Sequence, residues 1–284
     1  MLMTKTARVR RWLITGVSSG LGLALAEAVL ARGDRVIGTV RNERAQKEFG
    51  LLSPGKSYAV KLDLADTRAI PQLVADIEHN HGPIDILVNN AGYGYIGAVE
   101  ETSIEDMRAQ FEVNVFGTVA MIQAVLPSMR ARRNGHIINI SSVSGRVAWS
   151  GLGIYSGCKF ALTGISETLA QEVTPLGIKV TIVEPGGLRT DWSGRSMARA
   201  SHEIADYTET SGKSRCILEE HRGHQPGDPH KAADAIIRIA DLDAPPLHLL
   251  LGTDALKYAR QKLDELLANM IEWEAVSAGI SDGD

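Results

Sequence analysis

Little cysteine, no excess of positive charge and no long apolar run characterise this 284-residue chain, and each absence removes a class of function. Cys158 and Cys216 are too few for a disulfide framework. No CxxC pair or Cys/His cluster offers a metal site, and His221 and His224 merely stand three apart in a polar loop. No metal is expected, and a reducing cytoplasm fits. With 30 Lys and Arg against 34 Asp and Glu, the net charge of -4 provides no basic face for nucleic acid. No stretch approaches the ~20 apolar residues of a membrane span, so no membrane partner is expected. The N-terminus carries Lys5, Arg8, Arg10 and Arg11, but strand-like Trp12-Leu13-Ile14 and then Thr15-Gly16 stand where a signal peptide needs its apolar stretch. The Asn139-Ile140-Ser141 sequon lies in an apolar strand and reads as accidental. Repeats and low-complexity tracts are missing too, which leaves small molecules as the expected partners.

What the chain does have is a succession of short apolar runs, at residues 12–14, 35–40, 57–61, 84–88, 136–140, 179–183 and 247–251. They lack strict polar alternation, as strands buried on both faces do. Between them, residues 21–32, 67–79, 104–129 and 155–173 carry helical periodicity; in the last, Cys158, Leu162, Ile165, Leu169 and Val173 recur every three to four residues. Alternating β and α predicts an α/β fold, a doubly wound sheet of seven parallel strands with helices on both faces. No linker interrupts it, so a single domain over residues 1–284 is expected, with ligands beyond the carboxyl ends of the strands. The stretch at about 191–228 resists assignment and is taken as an insertion over the substrate, although its polar tract from Glu209 to Asp228 suits mobile surface equally well.

Thr15-Gly16-Val17-Ser18-Ser19-Gly20-Leu21-Gly22 follows the first strand and opens the first helix. A dinucleotide site needs that placement: Gly16 for the tight turn, Gly20 so that backbone approaches pyrophosphate, Gly22 for close packing, with the helix N-terminus facing the anion. The sheet is then Rossmann-type, though the spacing is G-x-x-x-G-x-G rather than G-x-G-x-x-G. At the end of the second strand an acid would bond the 2′-hydroxyl of NAD, whereas arginine accommodates the 2′-phosphate of NADP. Here the strand ends Thr39-Val40-Arg41-Asn42. NADP(H) is therefore the expected cofactor and NAD the poorer fit, with Arg41 and a hydroxyl from Ser18 or Ser19 gripping the phosphate.

Tyr155 and Lys159 stand at i and i+4 on one helix face, with Ser142 thirteen residues before the tyrosine. A phenol pKa of about 10 is high for proton transfer near neutrality, so a neighbouring ammonium that favours the ionised form is what an acid/base tyrosine requires. Tyr155 is expected to have a lowered pKa.

Taken together, the glycine turn, Asn89-Asn90-Ala91-Gly92 after the fourth strand, Asn114, Ser142, Tyr155-x-x-x-Lys159 and Pro185-Gly186 after the sixth strand resemble the short-chain dehydrogenase/reductase family. The resemblance covers nearly the whole chain and is to the shorter single-domain branch. Tyr93-Gly94-Tyr95-Ile96-Gly97 and the segment from Glu184 to Asp191 are similar to members labelled 17β-hydroxysteroid-dehydrogenase-like. The resemblance implies an oxidoreductase that moves a hydride between NADP(H) and a carbonyl or secondary alcohol. Tyr155 would be the acid/base, Ser142 would bond the substrate oxygen, and Lys159 would bind the nicotinamide ribose. Asn114 would hold a water leading from the lysine, or would only satisfy buried backbone groups. Asp63 would contact adenine, unless it or Asp66 caps a helix; Asn90, Ala91 and Gly92 would pass beneath the adenosine ribose. Pro185, Gly186, Leu188 and Thr190 would line the nicotinamide, unless Pro-Gly is a plain turn.

Tyr93, Trp149 and Trp192, with Tyr95, Val143, Leu152 and Met197, would wall the substrate space and suit a moderately apolar ketone or alcohol. In related proteins the helices holding Asn114 and Tyr155 build subunit interfaces, so a homodimer or homotetramer is implied; the apolar positions of residues 255–274 serve either an interface or the helix's own domain. Two rivals use the same fold: a nucleotide-sensing regulator without catalysis, and a lyase or epimerase that retains its cofactor.

Overall fold

Runs rich in Val, Ile and Leu become strands buried on both faces, and the amphipathic segments between them become the covering helices. The computed structural model describes residues 8–194 and 196–281; Lys5, Arg195 and both ends of the expected domain lie outside them. The first half runs β1 (Arg11–Ile14), α1 (Gly20–Ala31), β2 (Arg35–Val40), α2 (Glu43–Gly50), β3 (Ser57–Lys61), α3 (Ile70–His81) and β4 (Ile86–Asn89). There follow β5 (Gly94–Ile96), α4 (Ile104–Phe111), α5 (Thr118–Arg132), β6 (Gly135–Ile140), α6 (Gly153–Val173) and β7 (Ile178–Pro185). The chain closes with β8 (Met197–Arg199), α7 (Lys213–Glu220), α8 (Pro229–Ala240), β9 (His248–Leu251), α9 (Thr253–Glu272) and α10 (Glu274–Ala278).

Seven strands pair in parallel in the order β3-β2-β1-β4-β6-β7-β9, the architecture expected. The order reverses between β1 and β4, which opens a crevice beyond their carboxyl ends. Alternate residues feed two cores. Trp12, Ile14, Val36, Val88 and Ile138 pack with α1 and α8, while Leu13, Ile37, Leu87 and Ile137 pack with α3, α5 and α6. The basic N-terminal segment has a structural use: the Arg10 and Arg11 backbone N–H groups donate to buried Asp34 and Asp85, each at 2.9 Å.

Three expectations are corrected. The helix read over 104–129 is α4 and α5 joined by a π turn, Glu112–Gly117, which carries Asn114. Taken as one, Ile104–Arg132 is long and apolar enough to cross a membrane by length and composition, although no single run suggested it; Met121, Val125 and Met129 are buried in the core. α3 starts at Ile70 with no side-chain cap, so neither Asp63 nor Asp66 caps it. Asp63 instead closes a local turn, its carboxylate accepting from the Ala65 N–H at 3.0 Å. Four helices lie outside the segments expected to be helical: α2, capped by Asn42, α8, capped by Asp228 with Pro229 in its first turn, and the short α7 and α10. The small parallel pairing of β5 with β8 is likewise unexpected.

Candidate active site

The loops after β1 and β4 are stapled to one another. The Thr15 hydroxyl accepts from the Asn90 and Ala91 N–H groups, both at 2.9 Å, and the Asn90 amide donates back to the Thr15 carbonyl at 2.9 Å and the Gly16 carbonyl at 3.1 Å. Gly16 turns with φ +73, and a Cβ on Gly22 would run into the Gly16 oxygen, so both positions require glycine. Ser19 occupies the N-cap of α1 but makes no side-chain cap bond, and Ser18 is exposed beside it. The helix N-terminus and two hydroxyls are thus left for an anion. Leu21 anchors this end in the core, and Thr190 lies over Gly20, its Cβ 3.5 Å from where a Cβ on that glycine would sit. Arg41, just past β2, is exposed and makes no ion pair or hydrogen bond among the described residues. A group carrying pyrophosphate and a further phosphate fits these residues.

Across the crevice, β6 ends at Ile140 and Ser142 begins a short turn, its hydroxyl accepting from the Ser144 N–H at 3.0 Å. The buried face of α6 presents Tyr155, Cys158 and Lys159. The Lys159 ammonium donates to the Ile140 carbonyl at 2.9 Å and lies 5.8 Å from the Tyr155 ring centre. Burial pushes the phenol above its ordinary value, and only the Ser142 hydroxyl pulls against it. This corrects the expected lowering by the lysine: the same dry surroundings depress the ammonium itself, from 10.5 to about 8. Cys158 is driven up to about 12 by burial and is no ready nucleophile.

Asn114 holds backbone with both ends of its amide. Its side chain accepts from the Tyr93 N–H at 3.1 Å and donates to the Tyr93 carbonyl at 3.0 Å, and a Cβ on Gly92 would meet its oxygen at 2.6 Å. The loop after β7 is held from the side: the Gly186 N–H donates to the Leu251 carbonyl at 2.9 Å, the Gly187 N–H to Asp254 at 2.8 Å, and Leu188 bridges to Gly227. Pro185-Gly186 is therefore more than a free turn, and Asp254 had no sequence signal beyond its place at the start of α9.

Trp192 covers the phenol, its ring 5.0 Å from that of Tyr155. It fits because position 94 is glycine, where a Cβ would strike the indole at 2.7 Å. Ile96, Leu152 and Met197 form a small core with Trp149, Trp192 and Leu218, and Tyr258 of α9 meets Trp149 edge-on at 5.6 Å. Segment 191–228 is fastened by β8 and by a strap that the sequence did not disclose. The Glu101 carboxylate, 2% exposed, accepts from the Ala98 N–H at 2.7 Å and the Ile204 N–H at 2.9 Å, and pairs with Arg215 at 3.1 Å. A second unread cluster lies behind the site, where fully buried Glu184 pairs with Arg146 at 2.6 Å and His248 at 3.3 Å.

Known proteins are similar to this chain in sequence and in fold. The family described as short chain dehydrogenase matches residues 10–200. Oxidoreductase BOA17 of Botryotinia fuckeliana is 40% identical over 94% of this chain and 97% of its own. A crystal structure of a short-chain dehydrogenase from Streptomyces avermitilis superposes with a TM-score of 0.91 at 42% identity, covering 97% of this chain and all of that one. A closed serine dehydrogenase complexed with NADP+ superposes at 0.72 with 26% identity, over 85% of this chain and 94% of its own. With a glycine-rich turn after β1, a buried tyrosine and lysine, and relatives matched along nearly their full length, the chain belongs to the short-chain dehydrogenase/reductase family of oxidoreductases.

Proposed function

We propose that this protein is an NADP(H)-dependent reductase or dehydrogenase of a moderately apolar ketone or secondary alcohol, with Tyr155 as its acid/base. One observation carries the reading: Ser142 and Lys159 converge on a buried phenol across the crevice from the open N-terminus of α1. NADPH bound there supplies hydride. Everything else falls to the chain's own groups. Gly16, Gly20 and Gly22 admit the pyrophosphate; Ser18 or Ser19 and Arg41 take the 2′-phosphate. Asp63, Asn90, Ala91 and Gly92 pass along the adenosine, and Pro185, Gly186, Leu188 and Thr190 line the nicotinamide.

In reduction, the carbonyl oxygen accepts a hydrogen bond from Ser142 and a proton from the Tyr155 hydroxyl as hydride reaches the carbon. A phenol held above its ordinary pKa keeps that proton until the oxygen becomes basic enough to take it. Lys159, with its pKa near 8, returns a proton to the phenolate and takes another from solvent through a water held beside Asn114. Tyr93, Trp149 and Trp192 supply aromatic walls, and residues 191–228 close over the substrate to exclude water. Exposed Phe116 in the turn between α4 and α5, with exposed Phe160 and Ile165 on α6, supports a homodimer or homotetramer of single-domain subunits. Both cysteines are free thiols, which suits a reducing cytoplasm.

The test is NADPH oxidation against a panel of ketones, quinones, steroids and acyl thioesters. Tyr155→Phe is expected to lower kcat at least ~100-fold with little change in NADPH affinity. Turnover that survives the substitution overturns the role of Tyr155. Cofactor binding with no turnover on any substrate favours a sensor, and product formation without net NADPH consumption favours a lyase or epimerase.

A further inference from the structure

α9 leaves the body of the protein after its first turns. Only Ala255 and Ala259 are buried, whereas Leu263, Leu266, Leu267, Met270 and Trp273 are each about half exposed or more. Such a run is not scattered. Leu263, Leu266 and Met270, with Trp273 at the C-terminal cap of α9, follow one another at intervals of three, four and three residues, the a and d spacing of a heptad repeat. With Leu267 and Ile271 exposed beside them, these residues leave an uncovered apolar seam along α9.

Charge along the helix identifies what covers it. Lys257, Arg260 and Lys262, against Asp254 alone, occupy its N-terminal half, Asp264, Glu265 and Glu272 the rest, Glu274 follows at the start of α10, and no lysine or arginine occurs from 263 to 281. Parallel pairing of two copies would set like charges together; antiparallel pairing sets the cationic half of each against the anionic half of the other. A bilayer is a poor occupant, because acidic residues outnumber basic ones along α9 and the following Glu274, whereas surface helices on anionic lipid carry a basic polar face.

We propose that α9 pairs antiparallel with α9 of a second copy of this chain. In the register that opposes Arg260 to Glu274 of the second copy, the two Leu267 side chains flank the two-fold axis. Leu263 then faces Trp273 of the other helix, and Met270 faces Leu266. This seam lies on a different element from those that carry exposed Phe116 and Phe160.

Sedimentation of the full chain tests the pairing, with far-UV circular dichroism and NADPH binding as checks that each variant is folded. Leu263→Gln/Leu266→Gln is expected to halve the assembled mass. Arg260→Glu should weaken association about tenfold, and Arg260→Glu/Glu274→Arg should restore it. In a Cys216→Ser background, a short bismaleimide should join copies through Leu267→Cys and not through Arg260→Cys, since antiparallel pairing separates the latter two by about 21 Å at 1.5 Å per residue. A monomeric wild type, a mass unchanged by the double substitution, or cross-linking equal at both positions overturns the proposal. So does sedimentation with phosphatidylserine vesicles that the double substitution abolishes, which would give the seam to a bilayer.

Discussion

Lys159 is a cation held in a dry pocket, where burial depresses its pKa from 10.5 to about 8 at a cost to the fold. At about 1.4 kcal/mol for each tenfold change, the charged amine destabilises the cofactor-free protein by about 3 kcal/mol at neutral pH. Lys159→Met removes this cost and also removes the hydrogen bond to the Ile140 carbonyl, a loss of about 1 kcal/mol. The variant should therefore be more stable than wild type by about 2 kcal/mol at about pH 7. The pH dependence fixes the cause. Below about pH 8 the amine is charged in both folded and unfolded chains; between there and 10.5 the folded chain has released its proton and the unfolded chain has not. Wild-type stability thus rises through that window, by about 2 kcal/mol at about pH 9.5, and the advantage of the variant disappears. Urea unfolding of both proteins at the two pH values measures it. A margin that is the same at both, or a variant less stable at neutrality, would refute the argument that desolvation of the ammonium dominates.

Two further outcomes follow from particular side chains. Arg41→Asp should raise the KM for NADPH at least ~10-fold and lower that for NADH, because it places an acid where the 2′-phosphate is expected; an unchanged KM for NADPH would remove Arg41 from the cofactor site. Glu101→Ala should leave Arg215 with Glu203 alone, lower stability by about 2 kcal/mol and speed proteolytic cleavage within 200–220. Burial alone would raise this carboxyl, but the Ile204 and Ala98 N–H groups and Arg215 hold it below the usual carboxylate range. Its stabilisation is present above the unfolded pKa of about 4.3 and is lost only as pH falls through the lower folded value. The wild-type strap should release in acid and not near neutrality, as cleavage rates across pH will show.

What was legible in the sequence follows from how local its causes are. The seven parallel strands announced themselves because a strand covered on both faces has no polar alternation, and Gly16 and Gly22 stood out because only glycine fits where backbone crowds backbone. α2 escaped because its eight residues bury only Phe49, too little to leave a period. α8 had an Asp228-Pro229 start and apolar spacing at Ala233, Ile236 and Ala240 that could have revealed it. The strap and the Glu184 cluster were beyond reach for another reason: Glu101 meets Ile204 and Arg215 only after the chain has folded back over a hundred residues. No local pattern encodes such a contact.

The Tyr155 correction comes from the same distinction. Spacing placed an ammonium beside a phenol and suggested attraction between charges, but the fold put both where water is scarce, and there loss of solvation outweighs attraction. Burial opposes whichever form is ionised, so it raises the acid and lowers the base, and both move toward neutrality. On the proposed mechanism this has a direction. A neutral phenol with a retained proton is prepared to donate to a carbonyl oxygen, whereas abstraction from an alcohol needs the phenolate that the empty pocket disfavours. The oxidised nicotinamide is a cation, so the cofactor-free pocket favours donation and only the oxidised complex brings positive charge to stabilise the phenolate. An alcohol-oxidation rate should therefore climb with pH to a higher value than the rate of carbonyl reduction needs, the two limbs reporting one tyrosine in two electrostatic settings.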